Sequence, residues 1–139
     1  NRSMAISLIN KGQLKGFLAF HNNQPIAWCN VNNKEAFSLN KNFSDASSGL
    51  DKDIISIVCF LVSHKYRRLG ISGLLLQEIK KYYRASGKSF IEAYPFKNAV
   101  KDSENYHGPL QVYLKNGFYI DKEYDKYSVV RYNLSGSDA

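Results

Sequence analysis

Seven consecutive residues, Arg67-Arg68-Leu69-Gly70-Ile71-Ser72-Gly73, carry the densest chemical signal in the chain. They follow a nearly continuous apolar run, Ile54 to Val62, and open a stretch with apolar residues at helical spacing. A basic, glycine-containing loop in that position turns successive backbone N–H groups toward one point, at the positive end of the coming helix. Gly70 and Gly73 allow backbone conformations and close approaches that a Cβ obstructs. Arg67 and Arg68 add positive charge beside a bound pyrophosphate. The chemistry implied is the grip of a phosphorylated ligand, and the plainer alternative for Gly-x-x-Gly before a helix is a tight turn. Other phosphate motifs do not fit. The chain has no Gly-Lys-Ser or Gly-Lys-Thr, as a nucleotide-hydrolase loop requires, and Gly70-Ile71-Ser72-Gly73 does not supply Gly-x-Gly-x-x-Gly.

The elements that must hold this loop can be read from periodicity. Ile54 to Val62 has the length and β-branched content of a strand buried on both faces, hence central in a sheet. Ser72 to about Arg84 is a helix with Ile71, Leu75, Ile79 and Tyr82 as its apolar stripe and Gly87 as its end. Phe90 to Tyr94 is a strand stopped by Pro95. Lys97 to Glu104 is polar loop. Pro109 suits the first turn of a helix running to Lys115 and closed by Gly117, and Phe118–Ile120 and Tyr127–Leu134 are two last strands. Upstream, Gly16–His21 and Ile26–Val31 flank Asn22-Asn23 and read as a β-hairpin. In its second strand Ile26, Trp28 and Asn30 share one face, and Ala27, Cys29 and Val31 the other. Residues 32–52 are a long polar connection with one helical turn near Ala36 to Leu39. Residues 2–11 carry Met4, Ala5, Leu8 and Ile9 at helical spacing, with Gly12 as a stop, and predict a helix.

Composition narrows the setting. The 139 residues make one domain, 1–139, and 44% hydrophobic residues are enough to fill a core. No apolar run reaches the roughly 20 residues needed to cross a bilayer, and the start lacks a signal-peptide pattern, so a cytoplasmic protein with no membrane partner is expected. Cys29 and Cys59 each sit in a strand-like run and read as free, packed thiols. In that apolar strand Cys59 has no His or acid placed to activate it as a nucleophile. Two isolated Cys and three scattered His give no metal-ligand spacing, so no metal is expected. The net charge is +7, with Lys65, Arg67, Arg68, Lys80, Lys81, Arg84 and Lys88 set against a single acid, Glu78. That cluster suits a polyanion or is a solvated helix face. Nucleic acid would need aromatics interleaved with the charges, and most aromatics sit in strands that read as core.

The loop resembles the acetyl-CoA loop of the GNAT acetyltransferases, Arg/Gln-x-x-Gly-x-Gly/Ala, with Arg67 first, Gly70 as its glycine and Ser72 where Gly or Ala is usual. Tyr113-Leu114-Lys115-Asn116-Gly117-Phe118 resembles the Tyr-x-x-x-Gly-Phe that closes the last helix in many members. Ile91-Glu92-Ala93-Tyr94-Pro95 and Tyr106-His107-Gly108-Pro109 are similar to a bacterial branch of that superfamily. The resemblance covers about residues 15–134. It implies an α/β (α+β) GNAT fold, a mixed and mostly antiparallel central sheet flanked by helices. With residues 2–11 taken as the second helix, the first strand and first helix of that fold would be missing.

The resemblance also implies a reaction, acetyl transfer from acetyl-CoA, the co-substrate, to a primary amine on a small molecule or peptide. It puts the pantetheine against Phe60, Leu61 and Val62, the pyrophosphate on Arg67 to Gly73, and Tyr113 in the role of general acid, since a neutral phenol persists at pH 7. The alternative for Tyr113 is a core residue beside Phe118. Many members carry a Glu where this chain has Ser56. The candidates for a base are therefore Glu92, His107, His64 or a chain of water. Trp28 and Tyr94 are candidates to line the acceptor pocket, with core as the alternative for Trp28. A CoA-binding module without turnover is the second reading, and a homodimer is compatible with either.

Overall fold

The computed structural model describes residues 4–11, 14–37, 51–67, 69–97 and 107–135. Among them run seven strands and two α-helices: β1 (Met4–Lys11), β2 (Leu14–His21), β3 (Gln24–Asn33), β4 (Ile54–Val62), α1 (Ile71–Tyr83), β5 (Phe90–Ala93), α2 (Leu110–Lys115), β6 (Tyr119–Glu123) and β7 (Ser128–Asn133). The strands form one sheet in the order β1-β2-β3-β4-β5-β7-β6, antiparallel throughout except for the parallel β4–β5 pair. The mixed, mostly antiparallel sheet with helices is the predicted fold class.

The hairpin of β2 and β3 turns on Asn22-Asn23, with φ of 52° and 66°. Both values are positive, as a twist-matched two-residue turn requires, and asparagine tolerates them. Ala27, Cys29 and Val31 face the core. Trp28 is half-buried and lies across Gly16, where a Cβ would meet its ring at 2.6 Å. A larger residue at position 16 would clash first with the Cys29 carbonyl of β3 and then with the indole, so the strand backbone as well as the side chain would have to shift.

Residues Met4–Lys11 form a strand, not the predicted helix. The segment satisfies two periods at once, because Met4, Ile6 and Leu8 also alternate, and these three pack on the core. Eight residues cannot sustain a lone helix in water. The open edge of β2 offers hydrogen bonds along its whole length, in a register from Met4↔His21 to Lys11↔Leu14. Gly12, expected to stop the helix, lies outside the described residues, as do residues 98–104 of the polar loop.

The connection after β3 begins with a 3₁₀ turn at Lys34–Phe37 and ends with another at Asp51–Asp53; its residues 38–50 are not described. Helix α1 lies over β2, β3 and β4. Its buried residues are Ile71, Leu75, Leu76, Ile79, Lys80 and Tyr83. Steps of four from Ile71 lead to Tyr83, and Tyr82, predicted in the stripe, is instead 47% exposed. Lys80 also departs from its expected place in the basic cluster. It is buried, its Nζ donating to the Asn116 carbonyl at the end of α2 and lying 4.4 Å from the Tyr132 ring centroid. A cation at a helix C-terminus meets the negative end of the dipole.

Candidate active site

Strand β4 carries the site because it changes partner halfway along. Its first four residues pair with β5, from Ile54↔Phe90 to Ile57↔Ala93, and there the pairing stops. On the β3 side Val31 opposes Ile57 while Asn30 opposes Cys59, so Val58 is an extra residue, a β-bulge. A bulge bends its strand and re-aims the residues beyond it. The chain beyond β5 stays with β7 instead, through Ser128 N–H to Pro95 O at 3.0 Å and a bridge between Phe96 and Tyr127. The sheet therefore parts after Ile57. One edge of Cys59 to Val62 has no strand partner among the described residues.

That edge leads into the phosphate-type loop. Ser63 ends the strand, a 3₁₀ turn covers His64–Tyr66, and Gly70 begins α1 in the left-handed region at φ 80°. A Cβ on Gly70 would have nothing within 4 Å, so it is backbone conformation, not crowding, that favours glycine here. The first intrahelical bond runs from Leu74 N–H to Gly70 O at 3.1 Å. It leaves the N–H groups of Ile71, Ser72 and Gly73 ahead of the ladder, with no side-chain cap and no acid in the first turn. Ile71 anchors the turn in the core, while Leu69 and Gly70 are exposed. A Cβ on Gly73 would touch only the Asn116 amide, at an ordinary 3.7 Å. Arg67 reaches back along the loop, its Nε donating to the Val62 carbonyl at 3.0 Å and its Nη1 3.4 Å from His64 Nδ1. Arg68 lies outside the described residues. These features fit an anionic, phosphorylated ligand at the helix end and an extended polar chain along the β4 edge.

Tyr113, on α2, meets the same strand within the core that α1 covers. Its ring packs edge-on against Phe60 at 6.1 Å and Phe118 at 5.2 Å, and its hydroxyl donates to the His107 carbonyl at 2.6 Å. The residue is fully buried. Burial, with the thiols of Cys29 and Cys59 adding to it, pushes the phenol well above its usual range, so it stays protonated. Gly108, at φ 89°, makes room for this hydroxyl: a Cβ there would sit 2.7 Å from Tyr113 Oη.

The three side chains weighed as bases stand apart from one another. Glu92 is buried and held on both oxygens, Oε1 by Lys34 Nζ at 2.7 Å and Tyr94 Oη at 2.8 Å, Oε2 by Arg131 Nε at 2.8 Å. Ser56, in register with Glu92, hydrogen-bonds to Tyr94 Oη at 2.6 Å, and since the phenol proton is given to Glu92 it is the serine that donates. Glu92 is thus the structural acid of a buried ion network. Tyr94 is a member of that network, 1% exposed, rather than the lining of an acceptor pocket. His64 is exposed on the 3₁₀ turn. His107 is buried, its ring hydrogen-bonded to the Val58 backbone and edge-on to Phe96 at 4.8 Å. Desolvation lowers its pKa to about 4, against the raising effect of the Val58 bond, so the imidazole is neutral at pH 7.

Periodicity missed the ion network because Lys34 reads as a surface residue and the Ser56↔Glu92 register appears only once β4 and β5 are paired. Cys29 and Cys59 are free, as expected. Cys29 lies opposite Phe60 and Cys59 opposite Asn30, one step apart. The described residues contain no cluster of metal-ligating side chains, and no helix among them is long and apolar enough to cross a membrane.

Known proteins place this architecture. No curated protein matches the chain by sequence. Among solved structures, the PaiA N-acetyltransferase of Thermoplasma acidophilum, in complex with coenzyme A, is 14% identical with a TM-score of 0.60 over 85% of this chain and 59% of its own. The chain therefore spans less than two thirds of that protein. A GNAT-family acetyltransferase from Streptococcus pneumoniae is 16% identical, TM-score 0.61, over 89% of this chain and 68% of its own. The ribosomal-protein-S18-alanine N-acetyltransferase of Escherichia coli is 11% identical, TM-score 0.63, over 98% of both. At such identities the likeness is one of fold. The model of the acetyltransferase (GNAT) family matches residues 2–118, most of the chain, and with the parted sheet and the Gly70 turn it makes this protein a member of the GNAT family.

Proposed function

We propose that this protein is an N-acetyltransferase that moves an acetyl group from acetyl-CoA directly to a primary amine, on a small molecule or a peptide, within a ternary complex. The observation that carries the reading is one continuous track, from the open β4 edge at Cys59–Val62 to the uncapped N–H groups of Ile71, Ser72 and Gly73. Phe60, Leu61 and Val62 would hold the pantetheine through their backbone. Arg67, Arg68, Leu69, Gly70, Ile71, Ser72 and Gly73 would hold the pyrophosphate. When bound, acetyl-CoA supplies the thioester, whose C–S bond breaks as the C–N bond to the amine forms.

Tyr113 has the role of general acid, giving its hydroxyl proton to the departing sulfur. Its support is its contact with Phe60, on the strand that would hold the pantetheine; burial keeps the phenol protonated at pH 7 while making it a weaker acid. Its hydroxyl must then leave the His107 carbonyl, to which it now donates. The amine enters neutral and loses its proton to water, since Glu92 is engaged by two cations. The free thiols Cys29 and Cys59 support a reducing compartment, the cytosol. The engaged Glu92 is also what favours the second reading, a module that binds CoA without turning over.

Thermal unfolding with and without acetyl-CoA tests the site. Ligand at about 100 times its dissociation constant adds about 2.7 kcal/mol. We expect that stabilisation in the wild type and none in Gly70→Asp, whose carboxylate would repel the phosphates. A folded wild type that acetyl-CoA leaves unshifted refutes the proposal. Acetylation across a panel of amines, lost in Tyr113→Phe, separates the enzyme from the silent module.

A further inference from the structure

His107 stands at the apex of the opening between β4 and β5. On one side its ring is hydrogen-bonded to the backbone of Val58, the bulged residue where β4 loses its β5 partner. On the other its ring packs at 4.8 Å and 79° against Phe96, which belongs to the arm that stays with β7. Its own carbonyl accepts the Tyr113 hydroxyl, and the next residue, Gly108, has the φ of 89° that lets the chain pass the phenol. One residue therefore touches both diverging strands and the helix that faces them. A bulged strand with an unshared edge tends to close up on a neighbour, because unpaired buried backbone groups are costly. An aromatic-sized side chain that is also a donor both props the gap and satisfies the backbone at its narrow end.

We infer that His107 is a positioning residue, a wedge that sets how far β4 stands from the Pro95–Phe96 arm and so keeps the Cys59–Val62 edge open to an extended ligand. The inference rests on the reading of that edge as the pantetheine site. The imidazole works here as a neutral hydrogen-bonding ring, not as the base that removes a proton from the amine.

The test compares two ligands on three proteins by calorimetry. CoA spans the β4 edge and the Gly70 loop, whereas 3′-phosphoadenosine 5′-diphosphate reaches the loop alone. His107→Phe keeps the ring against Phe96 and removes the hydrogen bond, and His107→Gln keeps a donor of similar reach and removes the ring. We expect both variants to bind CoA about tenfold or more weakly than wild type and to bind the nucleotide fragment as wild type does. Equal weakening of both ligands would mark a general loss of structure and overturn the wedge, as would unchanged CoA affinity in either folded variant. Should His107→Phe fail to fold, His107→Gln alone decides by the same comparison. A wild type that binds the fragment but gains nothing from the pantetheine arm refutes the pantetheine reading and this inference with it. A wild type that binds neither ligand refutes the CoA reading as a whole.

Discussion

Two glycines of nearly equal φ, Gly70 at 80° and Gly108 at 89°, differ in what surrounds them, and alanine at each separates backbone strain from crowding. In Gly70→Ala the new methyl meets nothing within 4 Å, so only the left-handed conformation is penalised, at about 1–2 kcal/mol. In Gly108→Ala the same penalty applies and the methyl also falls 2.7 Å from Tyr113 Oη and 3.1 Å from the ring. That ring is fully buried between Phe60 and Phe118, so the contact is relieved only by tilting the phenol against its packing. The hydroxyl must break from the His107 carbonyl and leave it unsatisfied, which adds about 1–3 kcal/mol. Gly108→Ala should therefore cost about 2–5 kcal/mol in all. At about 2.1 cal/mol/K per residue, 139 residues unfold with about 0.29 kcal/mol/K, so Tm falls by about 7–17 °C for Gly108→Ala and about 3–7 °C for Gly70→Ala. Urea unfolding read by circular dichroism measures both, with midpoints shifting at constant slope. Tyr113→Phe in the Gly108→Ala background removes the closest atom, so the double variant should be less destabilised than the sum of the singles by about 1–2 kcal/mol. Gly70→Ala and Gly108→Ala within 1 kcal/mol of each other, or strict additivity in the double, would refute the crowding at Tyr113.

Glu92→Leu leaves Lys34 and Arg131 buried without their shared carboxylate and should cost about 3–5 kcal/mol, measured by urea unfolding; a loss under 1 kcal/mol would count against the network. His107 adds an acid-sensitive element. Its folded pKa, about 4, lies below the 6.5 of the unfolded chain, so the neutral form is favoured by folding. That stability is present above pH 6.5 and lost as pH falls toward 4, at 1.36 kcal/mol per unit about 3 kcal/mol in total. Stability measured from pH 7 to 4 should fall less steeply in His107→Gln than in wild type, and equal slopes would show that the imidazole does not report the pH.

Where one side chain type had one job, the sequence was readable. Ile54–Val62 is apolar enough to be nothing but a central strand, and Asn22-Asn23 can turn a hairpin because asparagine tolerates positive φ. The Gly70 loop announced itself by charge and glycine together. Residues 4–11 misled because Met4, Leu8 and Ile9 satisfy a helical period while Met4, Ile6 and Leu8 satisfy that of a strand; only the free edge of β2 decides. Lys34 and Lys80 misled because a long cationic side chain looks solvated until a specific partner buries it, Glu92 for one and the end of α2 for the other. The role of His107 was out of reach for a different reason: it depends on where two strands part, and no local spacing encodes a parting.

The short parallel seam has a consequence for how the chain folds. Strands β1, β2 and β3 succeed one another directly and pair through contacts close along the chain, whereas β5 pairs with β4 on one side and β7 on the other across long stretches of sequence. The strand pairing of β4 with β5 is four residue pairs, Ile54–Ile57 with Phe90–Ala93, and it spans all of α1; that of β5 with β7 spans α2 and β6. Contacts of large sequence separation pay their loop-closure entropy before they return anything. The two pairings of β5 are then the slow steps, and the gap beside β4 takes its final form only once β5 has joined both of its neighbours.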